Sequence, residues 1–178
     1  KSSKQVATAF RLAPTGITSS NIPLQTARNI SGTGYFSLLH LLLKNGILNQ
    51  EGSFSFSENH GKQTKLIQML NKQIKQADNR VYFEISEQLK LTSQDVEELL
   101  KIKAAFSLVF KVLLEAAGLS SFDLKTVYLA GSLGLHSSPL DLEGLGFLPS
   151  GMHKRVKAAG NLSLCGAGLL LQNKKVRQ

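Results

Sequence analysis

The stretch "LTSQDVEELLKIKAAFSLVFKVLLEAAG", residues 91–118, constrains this chain more than any other. Thr92 is a good helix N-cap, Asp95 stands three residues on, and Glu97 and Glu98 lie near the positive helix end. Apolar residues at Val96, Leu99, Leu100, Ile102, Phe106, Val109, Phe110 and Leu113 keep helical spacing, and Gly118 closes the run. The pattern predicts a helix over about 92–117 with a buried apolar stripe, Phe106 and Phe110 in the core. A turn, "LSSFDLK", then feeds "TVYLAG", which reads as a buried strand over 126–130. A helix followed by a strand and another helical piece is the rhythm of an α/β fold with parallel pairing. The long helix is therefore expected to pack on a sheet containing Thr126–Ala130.

That strand stops in Gly131, Ser132 and Gly134. Either a turn needs φ > 0 there, or a bulky anionic group approaches the backbone. Gly32, Thr33 and Gly34 form a second small-residue loop, just before the apolar run "YFSLLHLLLKN". That run predicts a buried helix from about Tyr35 to Asn45, stopped at Gly46. Neither loop matches the Walker or dinucleotide fingerprint, and most Gly-x-Gly turns bind nothing. Lys103, inside the long helix, reads as a snorkelling lysine or as one aimed at a nucleotide.

The remaining segments are plainer. "ATAFRLA" supplies short strand candidates, and "RVYFEI", Arg80 to Ile85, reads as a strand. Residues 49–80 are polar and low in core formers, as expected of an exposed excursion. Phe54 and Phe56 alternate there like a short strand, and Leu66, Ile67, Met69, Leu70 and Ile74 suit an amphipathic turn or two. A final helix from about Asn161 carries small residues on several sides, which predicts close packing, and ends in a basic turn.

Composition removes several functions. A single cysteine, Cys165, cannot build a disulfide framework or a cysteine-ligated cluster, and it reads as a buried small hydrophobe. His40, His60, His136 and His153 lack zinc-like spacing, so no metal site is expected. His40 reads as a core histidine, and Asp141 and Glu143 as solvated carboxylates. No nucleophile elbow is present, and no catalytic residue is assigned. No stretch is long and apolar enough for a membrane span. The net charge of +9 is concentrated in residues 1–80, which hold ten Lys/Arg against three Asp/Glu. The excess is scattered and no DNA-reading motif accompanies it, so no nucleic-acid partner is expected.

Three phrases carry a family resemblance. "NISGTGYFSLLHLLLKNGILNQEGSF", "LTSQDVEELLKIKAAFSLVFKVLLEAAGLSSFDLKTVYLAGSLG" and "SPLDLEGLGFLPSGMHKRVKAAGNLSLCGAG" resemble the C-terminal part of ATP-dependent reductive activators of corrinoid proteins. "AFRLAPTGI", Ala9 to Ile17, is a fainter echo of what precedes them. These activators belong to the superfamily of acetate and sugar kinases, heat-shock chaperones and actin. Ser132 stands where the family usually has a second glycine, and Cys165 replaces a small residue. The superfamily's Asp-x-Gly-Thr phosphate hairpins and the activators' iron–sulfur cysteines are absent from this sequence.

The resemblance implies an α/β, RNase H-like lobe of the actin and sugar-kinase type, a mixed sheet flanked by helices. Residues 1–178 would form a single lobe, the C-terminal part of a larger activator and inactive by itself. In the intact cytoplasmic protein of an anaerobic methyltransferase system, ATP use would drive an electron onto Co(II) corrinoid to give Co(I). Gly131, Ser132 and Gly134 would lie against adenosine of ATP or ADP, Lys103 would project from the neighbouring helix, and Gly32, Thr33 and Gly34 would border the cleft. Magnesium would accompany ATP in the parent, and a [2Fe–2S] cluster would sit in an N-terminal domain outside this chain. Partners would be a corrinoid protein and the rest of the same polypeptide. A non-catalytic module of the same fold and a small-molecule kinase lobe are the rival readings.

Overall fold

The structure, a computed structural model, describes residues 5–55, 64–77 and 80–173. Strand β1 (Val6–Ala7) pairs in parallel with β4 (Asn29–Ile30), and β2 (Phe10–Ala13) forms an antiparallel hairpin with β3 (Gly16–Ser19). Helix α1 (Gly32–Lys44) follows, starting earlier than its apolar run because Ser31 Oγ caps it by accepting from Gly34 N–H at 3.0 Å. Leu38, Leu39 and Leu42 on α1 are fully buried. The buried Ser37 hydroxyl accepts from Phe10 N–H at 2.9 Å and donates to Phe10 C=O at 3.1 Å. A polar group thus stays inside the core at no cost in lost hydrogen bonds and ties α1 to β2.

Helix α2 (Lys65–Asn71) leads into a three-stranded antiparallel sheet of β5 (Ile74–Ala77), β6 (Arg80–Ser86) and β7 (Leu89–Thr92), in that order. Residues 49–80 are more than the excursion expected of them: Phe54, Leu70 and Ile74 are buried. Among the described residues of this segment, Phe54, Leu70 and Ile74 join the core and Ile67 packs against it. Phe54 bridges Leu48 in antiparallel fashion, while Phe56 lies outside the described residues.

Helix α3 (Ser93–Ala116) begins as expected. Thr92 Oγ1 accepts from Asp95 N–H at 3.1 Å, and Asp95 Oδ2 accepts in return from Thr92 N–H at 2.8 Å. The expected burial of its whole stripe is corrected. Val96 is buried, but Phe106 is 39% exposed and Leu113 63%, and Phe110 is only half-buried. Helix α3 contacts β6 and β7, and Leu99, Leu100 and Phe110 pack partly buried against the core. Phe106 still leans on Phe147, ring centroids 5.8 Å apart, and stacks with Phe110 at 6.3 Å.

Strand β8 (Val127–Ala130) is followed by the short helices α4 (Gly131–His136) and α5 (Pro139–Gly144), then β9 (Val156–Gly160) and α6 (Leu162–Gln172). The expected parallel pairing is present between β8 and β9. Burial of β8 is not: Val127 and Leu129 are half-buried, and Tyr128 on the other face is 64% exposed. Helix α6 has no buried residue, so the close packing inferred from its small residues is absent, and Cys165 is exposed. Its basic last turn falls outside the described residues. No helix among the described residues is long and apolar enough to cross a membrane.

Candidate functional site

Two loops a hundred residues apart in sequence meet at one open cleft of about 620 Å³. One wall is the turn into α1, with Ser31, Gly32 and Thr33; the other is the start of α4, with Ser132, Leu133 and His136; Thr8 and Ala9 close the floor. A methyl group on Gly32 would stand 3.4 Å from Leu133 Cδ1, so the two walls approach to within a side chain's width at this point. Local hydrogen bonds hold the first wall. Ser31 Oγ and Thr33 Oγ1 are 2.9 Å apart, and Thr33 Oγ1 donates to Thr8 C=O at 3.2 Å. Among the described residues the lining offers hydroxyls, backbone and one imidazole, with no Lys or Arg.

The glycines divide by cause. Gly131 has φ of +82° and open space around it, so its glycine serves the backbone turn. Gly134 and Gly34 serve close packing: added Cβ atoms would fall 2.9 Å from the Leu129 backbone and 2.6 Å from Ala7 C=O. Among the small residues singled out in the sequence, Gly32, Thr33 and Ser132 line the cleft. Lys103 does not. Its side chain lies beside Gly146 in a separate apolar hollow with Leu99, Leu100 and Phe147, as a snorkelling lysine would.

Two contacts escaped the sequence reading. His40 Nδ1 donates to Asp141 Oδ1 at 2.8 Å, joining α1 to α5, with the Nε2 end of the ring packed against Gly144. Glu143 accepts from Gly151 N–H at 2.9 Å, from His153 N–H at 2.7 Å and from His153 Nδ1 at 2.7 Å. The backbone N–H of His153, then that of Gly151, hold the Glu143 carboxyl down to about 2. Both carboxylates are structural ties, not solvated groups. Nothing in the residue types flags them, because each partner is distant in sequence or lies in a turn.

A larger open groove of about 710 Å³ runs between residues 17–25 and the turn at 85–88, and includes none of the small-residue loops. No group of three or more His, Cys, Asp or Glu among the described residues could hold a metal ion.

A solved structure of a reductive activator for corrinoid, iron–sulfur protein shares this fold over 98% of the chain, with TM-score 0.77 and 20% sequence identity. The chain spans 28% of that structure's length. The fold is thus that of an ASKHA lobe, the actin and sugar-kinase type of mixed α/β architecture. Residues 4–178 match the family described as the C-terminal domain of RACo, the ASKHA domain, and the chain belongs to that family. No curated protein matches it.

Proposed function

We propose that this domain supplies the adenosine side of a nucleotide cleft in an ATP-dependent reductive activator of a corrinoid protein. The observation that carries the reading is the convergence of Gly32, Thr33 and Ser132 on one cleft of an ASKHA fold. The cleft suits a nucleoside: it is open, its backbone is accessible, and hydroxyls line it. Among the described residues no Lys or Arg lines it, so phosphate and magnesium would be held by the rest of a longer polypeptide. Cys165 alone cannot ligate a [2Fe–2S] cluster, and no electron-transfer step is assigned to these residues. In the intact protein one electron would pass to Co(II) of the corrinoid, giving Co(I), with ATP use driving the step. Oxygen-sensitive Co(I) suits the cytoplasm of an anaerobic cell.

Within this scheme Ser31 and Thr33 hold the first loop in shape, and Ser132 offers a hydroxyl to the ligand from the opposite wall. Gly131 and Gly134 set the position of that wall. Lys103 has no direct part. The rival reading, a module of the same fold without nucleotide chemistry, draws on Ser132 and on the packing causes found for Gly34 and Gly134.

Ser132→Tyr tests the proposal in the longer polypeptide. The position is exposed and helical, so a ring there enters the cleft without straining the backbone. ATP affinity by calorimetric titration should fall about tenfold or more, equivalent to about 1.4 kcal/mol, with unchanged circular dichroism and melting. Unchanged affinity in the folded variant removes the nucleotide from this cleft and favours the rival.

A further inference from the structure

Helix α4 has two sides that meet different surroundings. Gly134 faces back onto β8, where an added Cβ would stand 2.9 Å from the Leu129 backbone. At helical spacing Ser132 and His136 fall opposite Gly134, and Leu133 falls beside them. All three line the cleft. The close contact at Gly134 therefore turns a hydroxyl, an aliphatic side chain and an imidazole ring away from the strand and into the open space. Leu133 is 50% exposed and His136 is exposed, so both can be covered by a ligand. Standing one turn apart on the same side of α4, they form a shelf of aliphatic and aromatic surface.

The facing wall differs in kind. Thr33 Oγ1 donates its hydrogen to Thr8 C=O, so Ser31 Oγ is the donor in the 2.9 Å pair that it makes with Thr33 Oγ1. Ser31 Oγ also accepts from Gly34 N–H. Both hydroxyl hydrogens are thus spent inside the protein, and each oxygen keeps a lone pair. These two side chains can accept hydrogen bonds from a ligand and can offer none. A nucleoside has the matching asymmetry: its ribose hydroxyls donate, and its base presents a flat face that stacks on aromatic side chains. We infer that the nucleoside lies in the cleft with its base on the Leu133–His136 shelf and its ribose hydroxyls donating to Ser31 and Thr33. His136 is then the residue that holds the base, and it does so through its ring. The inference rests on the reading that this cleft binds a nucleoside, and adds the direction in which the ligand lies.

Calorimetric titration of the longer polypeptide with adenosine and with ADP tests it. His136→Ala should weaken both ligands by the same factor, about tenfold. His136→Phe should restore both, because phenylalanine keeps the ring and lacks the ring nitrogens; a merely structural role for His136 would not produce equal loss and ring-dependent rescue. One reading needs no variant: 2′,3′-dideoxyadenosine should bind the unaltered protein several times more weakly than adenosine, since it lacks the donors that Ser31 and Thr33 face. Loss confined to ADP and not rescued by His136→Phe assigns the imidazole to phosphate and overturns the inference. Equal binding of adenosine and its dideoxy form overturns it as well. Unchanged affinity in His136→Ala, with Ser132→Tyr abolishing binding, overturns the inference and leaves the cleft as the nucleotide site. If neither variant changes affinity, the cleft reading falls with it.

Discussion

At Gly144, one hydrogen atom separates a stable contact from a clash. A Cβ there would fall 2.1 Å from His40 Nε2, and the ring cannot retreat without giving up its 2.8 Å bond to Asp141. Gly144→Ala is expected to destabilise the domain by about 1–3 kcal/mol, although alanine favours a helix, because overpacking outweighs propensity. Thermal melting checks this, and the loss should shrink when His40→Ala makes room. Glu143 carries a pH dependence of definite sign. Its folded-state pKa lies near 2, below the ordinary 4.5, so its stabilisation is complete above about 4.5 and is lost as pH falls through about 2. Glu143→Gln should lower the melting temperature at neutral pH and flatten its decline between pH 4.5 and 2; an unaltered profile contradicts the assignment. The small-residue loops were legible in the sequence, since Gly-rich element boundaries stand out. Their separate causes were not: Gly134 answers to Leu129 and Gly34 to Ala7, contacts that exist only once the chain has folded.

Among the elements, α3 shows what local sequence reveals. Its start was readable because the Thr92–Asp95 pair is a local device, closed within one turn. Thr92→Ala should cost about 1 kcal/mol, seen as a lower denaturant midpoint with unchanged slope. A change below a few tenths would show that tertiary packing alone sets the helix start. Burial of its far half was not readable, because periodicity identifies an apolar face without identifying what covers it. The same holds for β8, whose apolar run reads as buried while Tyr128 faces outward. The hairpin of β6 and β7 went half unread: "RVYFEI" has strong strand composition, whereas Leu89–Thr92 gains its strand character by pairing with Tyr82–Ser86.

At the scale of the whole molecule, the exposed large hydrophobic residues among those described fall almost entirely in the second half. The core around Leu38, Leu42, Phe83 and Leu91 is continuous with Val96 on α3 and with Leu142, Phe147 and Leu148 of the second half, so the two halves share one core. The cleft sits where the two halves meet, formed by α1 from one and α4 from the other. The family likeness was legible from the order of three phrases, and residues 4–178 match that family as a whole. The placement of Lys103 was not, because helical phase alone leaves open which hollow a half-buried lysine enters. The central claim is that adenosine lies between Gly32–Thr33 and Ser132. Hydrogen exchange of the longer polypeptide with and without ADP tests it most directly. Slower exchange is expected at 31–35 and 131–136 on adding ADP, with no change at 17–25 or 85–88; protection confined to the latter groove, or to neither, contradicts it.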